Sequence, residues 1–101
     1  MIFRLTRQAE GDIIDIYLYT AETFGITQAD AYHNKLKATF NLLGAQPYMA
    51  RERTEIDPPV RVHPCGSHII IYTVARDESV LVVRVRHESE DWISNYQVST
   101  D

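Results

Sequence analysis

Between residues 6 and 24, mostly apolar side chains recur every three or four positions. Ala9, Ile13, Ile16, Tyr17 and Thr20 form one stripe, widened by Ile14, Leu18 and Ala21. This period predicts an amphipathic helix. Thr6 is placed to cap its N-terminus through a side-chain oxygen. Gly25, directly after Phe24, suits the left-handed residue that closes a helix. A second stripe, Ala29, Tyr32, Leu36, Phe40 and Leu43, predicts a second helix. It starts at Thr27, with Asp30 three positions on in a capping-box-like spacing, and Pro47 closes it. So short a connection makes the two helices an antiparallel hairpin.

The rest of the chain reads as strands. "IFRL" (2–5) opens it, and "PYMARERTEIDPP" (47–59) has no period and reads as a loop or irregular edge. "VRVH" (60–63) alternates like an edge strand, and "HIIIYTV" (68–74) is a nearly continuous β-branched run, as expected for a central strand buried on both faces. "RDES" makes a turn into "VLVVRVRH" (80–87). Strict alternation there puts Leu81, Val83, Val85 and His87 on one face, under the helices. Val80, Val82, Arg84 and Arg86 fall on the other, open face. Residues 88–101 form an acidic tail in which "SEDWISNY" reads as a short helix with Trp92, Ile93 and Tyr96 on one side. The order β-α-α-β-β-β predicts a single α+β domain over residues 1–101, a helical hairpin on a small antiparallel sheet.

Charge adds an asymmetry. The net charge is −4, yet residues 47–86 carry six arginines against five acids, while the segment from 87 on has four acids and no Lys or Arg. The acidic total argues against bulk affinity for nucleic acid. One cysteine, Cys65, forms no internal disulfide and suits a reducing cytoplasm. Its neighbours His63 and His68 are too sparse a set for a metal site, and no metal or cofactor is expected. No apolar run approaches the roughly 20 residues that span a bilayer, so no membrane partner is expected.

The ordered set of D-I-x-x-I-x-x-Y from Asp12, F-G-x-x-Q-A from Phe24, F-x-x-L-x-x-x-P from Phe40, an arginine-rich loop, an apolar strand ending in Tyr-Thr-Val and a closing R-V-x-H-x-x-x-D from Arg84 resembles the RelE/ParE superfamily of bacterial toxins, most closely its ParE branch. The likeness covers about residues 2–91 and lies in the intervals more than in any one motif. It implies a RelE-like fold and the toxin component of a type II toxin–antitoxin module, neutralised by a cognate ParD-like antitoxin. The ParE branch inhibits DNA gyrase and blocks replication without chemistry of its own; the RelE branch cuts mRNA on the ribosome.

Each implication has its residues. Metal-free RNA cleavage needs a base, cations for the phosphate and an acid, here Glu55, Arg61 with Arg86, and His87. A histidine and an arginine on opposite faces of one strand do not make one site, which favours the binding toxin and a structural His87. Arg51, Arg53 and Arg61 are then the candidate target contacts. Val80, Val82, Arg84 and Arg86, with Trp92, are the candidate antitoxin contacts, apolar anchors beside positive charge for an acidic segment that folds as it binds.

Overall fold

The computed structural model describes residues 3–93. Strand β1 (Phe3–Leu5) leads into helix α1 (Arg7–Phe24) and helix α2 (Ile26–Ala45). Four strands follow: β2 (Glu52–Arg53), β3 (Val60–Cys65), β4 (His68–Val74) and β5 (Val80–His87). The sheet order is β1-β5-β4-β3-β2, so the apolar run 68–74 is indeed the central strand. Ile70, Ile71 and Tyr72 have no exposed surface.

The sheet is mixed, not purely antiparallel. β1 pairs with β5 in parallel, Phe3 opposite Val80 and Leu5 opposite Val82. The first strand runs straight into the hairpin, and that long crossover permits a parallel pairing which no tight turn allows. The two-residue β2 is the irregular edge of the loop, antiparallel to β3.

The helices begin and end for local reasons. Thr6 caps α1 as its spacing predicted, its hydroxyl oxygen accepting from the Ala9 amide at 3.0 Å, while its own proton goes to the Val83 carbonyl at 2.7 Å. Only Gly25 separates the helices; its φ of 96° returns the Gly25 N–H to the Ala21 carbonyl and starts α2 at Ile26. Thr27 is therefore helical rather than a cap, and α2 has no side-chain cap. Asp30 instead accepts from the Tyr17 hydroxyl at 2.6 Å, pinning the hairpin. Ile14 and Leu18, expected to widen the buried stripe, are 58% and 55% exposed.

One core lies between the hairpin and the sheet. Ala9, Ile13, Leu36, Phe40 and Leu43 pack on Ile70, Tyr72, Val80, Val82 and Val85. A smaller apolar group covers the other face, where Ile56 and Trp92 pack around Val60, Val62, Ile69 and Ile71. Residues 94–101, including Tyr96 and most of the expected C-terminal helix, lie outside the described residues.

Candidate functional site

A bulge decides which side chains of β5 face where. Arg84 pairs with Ile71 and Val82 with Tyr72, so Val83 is an extra residue in the ladder. One inserted residue reverses the alternation. Val80 and Val82 therefore point under the helices, with no exposed surface, and Leu81 lies on the other side. They are not on the open face that simple alternation assigned them. Arg84 and Arg86 do lie on that outer face, in register with Ile71 and Ile69.

Those arginines are already engaged. Because β1 stops beside Val82, the outer edge of β5 is bare from there on, and Asp12 of α1 covers it. Its Oδ2 accepts from Arg84 Nε at 2.8 Å and from the Val85 amide at 3.0 Å. Its Oδ1 accepts from Arg84 Nη2 at 3.0 Å and Arg86 Nη1 at 3.4 Å. Glu90 holds Arg86 from the other side, and that hydrogen bond raises the Arg86 pKa and keeps the guanidinium firmly charged. Nothing in the spacing of Asp12 marks it out, because its partners lie more than 70 residues away; the only signal is its place in the D-I-x-x-I-x-x-Y run.

At the far end of β5, His87 sits on the helix side, as alternation proposed, though for a different reason: the bulge and a one-residue shift cancel. His87 Nδ1 accepts from the Ser89 amide at 3.1 Å, and its ring meets His68 edge to face with centroids 5.3 Å apart. His68 Nδ1 is 2.6 Å from the Tyr32 hydroxyl, which also accepts from the Ser67 amide at 3.1 Å. Burial first, and His87 second, lower the His68 pKa below 6.5. A folded pKa below the unfolded one means the unfolded chain binds the proton first. The resulting stability is intact above pH 6.5 and is lost as pH falls from there towards the folded value. Urea midpoints at pH 7.5 and 5.5 should show this loss, and His68→Gln should flatten it; an unchanged loss would place its origin elsewhere.

The arginine loop forms a third locality. Arg51 meets Glu55 at 3.4 Å with both side chains mostly exposed. Arg61 donates to the Ala50 carbonyl and stacks on the exposed Tyr48 ring, 5.1 Å from its centroid. Glu55 has its pKa lowered, by its own backbone N–H first and then by Arg51, which makes it a weaker base. Arg61 pairs with Tyr72 and His87 with His68, four residues apart along β4, or about 13 Å at the usual strand rise. Arg86 is on the opposite face from both. The four residues of a cleavage site are thus not brought together. Among the described residues no group of three or more His, Cys, Asp or Glu can hold a metal ion. Nor is any helix of the described residues long and apolar enough to cross a membrane.

The family model for the ParE toxin of type II toxin–antitoxin system, parDE, matches residues 3–92. The chain belongs to the ParE toxin family. Its curated relatives include Toxin ParE1 of Caulobacter vibrioides, 32% identical over 87 residues, covering 86% of this chain and 88% of that protein. Toxin ParE1 of Mycobacterium tuberculosis is 30% identical over 89 residues, with 88% and 91% covered. Toxin ParE of Escherichia coli is 31% identical over 87 residues, with 86% and 84% covered. Among solved structures, the chromosomal ParDE TA system from P. aeruginosa superposes with a TM-score of 0.73 at 19% identity, over 86% of this chain and 95% of that one. That likeness supports the fold. As a ParE toxin, this chain is the toxin component of a type II toxin–antitoxin system, and its bulged β5, arginine loop and histidine end are the places where that role can be exercised.

Proposed function

We propose that this ParE toxin inhibits DNA gyrase by binding it, in the bacterial cytoplasm, and is held inactive by a ParD-like antitoxin. The observation that carries binding over cleavage is the dispersal of Glu55, Arg61, Arg86 and His87 over two faces and both ends of the sheet. Arg51, Arg53 and Arg61 form the target contact, with Arg51 extended into solvent beside exposed Tyr48 and Met49. Arginine flanked by aromatic and thioether side chains is the composition of an interface centre. The antitoxin folds over the outer sheet face, where half-buried Val62, Ile69 and Trp92 adjoin Arg84 and Arg86. Val80 and Val82 drop out of that contact because the bulge buries them.

The test is a short induced pulse of toxin without antitoxin, with labelled thymidine and methionine incorporation measured in parallel. DNA synthesis stopping first supports the proposal; translation collapsing first favours ribosome-dependent mRNA cleavage instead. With purified gyrase, Arg51→Ala/Arg53→Ala should weaken inhibition of supercoiling by roughly tenfold, the loss of one good anchor. Antitoxin binding should be unchanged, because those residues lie away from the outer face.

A further inference from the structure

The hairpin and the β3–β4 turn enclose a groove of about 460 Å³ that neither the target contact nor the antitoxin face uses. Its volume is within the range of small-molecule sites. Aromatic rings form its walls: Tyr19 and Phe24 of α1 are 65% and 67% exposed. Tyr32, His68 and His87 line it from the sheet side, and Asp15 adds a carboxylate that makes no hydrogen bond or ion pair with any described residue.

The hydrogen bonds around the histidines fix what they offer. A backbone N–H can only donate, so the Ser89 amide makes His87 Nδ1 an acceptor and leaves the proton of the neutral ring on Nε2. The Tyr32 oxygen already accepts from Ser67, and its own proton goes either to His68 Nδ1 or to the Cys65 carbonyl at 3.2 Å. His68 Nε2 donates in the first arrangement and accepts in the second. The groove thus presents one fixed donor, one group of either sense, one carboxylate acceptor and flat apolar walls.

Those groups select by exclusion. An anion meets Asp15, with Glu88 and Glu90 close enough to act on His68. A cation meets the His87 N–H. We propose that the groove binds a neutral heteroaromatic ring of purine type, which carries donors and acceptors on its edges and stacks on aromatic side chains. Base-on-aromatic stacking supplies the affinity and the edge hydrogen bonds the selection.

Imidazole signals in proton–carbon NMR test this on the full chain, titrated with adenosine, inosine and inosine monophosphate. Saturable shifts of His68 and His87 are expected, while His33 and His63, away from the groove, stay still. Asp15→Asn and Tyr19→Ala, both at exposed positions, should each weaken nucleoside binding by roughly tenfold. The monophosphate should bind more weakly than inosine. No saturable shift up to about 5 mM, corresponding to negligible binding free energy, overturns the proposal. So do equal shifts at all four histidines, or a monophosphate that binds more tightly than its nucleoside.

Discussion

Asp12→Ala is expected to destabilise the fold by about 3 kcal/mol, the lower end of the cost of removing one member of a buried ion pair. The carboxylate is 10% exposed and satisfies three groups at once: the Arg84 guanidinium, the Arg86 guanidinium and the Val85 amide. Arg86 keeps Glu90, so its loss is small. Arg84 keeps no carboxylate, and the Val85 amide loses its acceptor on a strand edge that β1 is too short to pair. The cost sits at the low end because Arg84 and Arg86 are 23% and 31% exposed and recover some hydration. Asp12→Asn keeps an oxygen for the amide and should lose only about half as much, since the charge-assisted part goes and the neutral bond stays. Urea unfolding of the two variants gives these values directly. In the double-mutant cycle with Arg84→Ala, strict additivity would show that the pair is not coupled and would leave the edge amide as the whole effect.

That cluster also shows where the sequence was readable. The apolar period marks both helices, and the β-branched run marks the central strand, because these signals are local and each residue reports its own burial. Val83 carries no such signal. It is one valine among four in a run of apolar and charged positions, and only its pairing with β4 reveals that it is extra. The reversed facing of Val80 and Val82 comes from that one residue. Asp12 and Arg84 are each visible as charged residues, but their meeting depends on β1 ending early, a fact of the sheet. Gly25 is readable as a helix end; that a single residue also starts α2 is not, since Thr27 and Asp30 offer a plausible cap that the hairpin does not need. Trp92, close to the acidic tail, suits either its own sheet or an interface by sequence, and packing against Ile56, Val60 and Ile71 places it on its own sheet.

Gly66→Ala is expected to cost about 2–4 kcal/mol, from left-handed backbone strain of about 1–2 kcal/mol together with overpacking. Gly66 turns β3 into β4 with φ at 59°, and a Cβ there would lie 2.7 Å from Cε1 and from the hydroxyl of Tyr32. A free tyrosine would swing aside. Tyr32 is not free, because its hydroxyl joins the Ser67 amide, the Cys65 carbonyl and His68 Nδ1. Moving the ring by a few tenths of an ångström disturbs all three and loosens α2 from the turn. The two contributions separate in a Tyr32→Ala background, where the clash is gone and only the backbone strain remains. There Gly66→Ala should cost about 1 kcal/mol. An equal cost in both backgrounds would mean that the turn, not the ring, sets the requirement for glycine. A smaller cost with Tyr32 intact would mean that the hydroxyl bonds yield easily, and the histidine end of the sheet would then be softer than its hydrogen bonds imply.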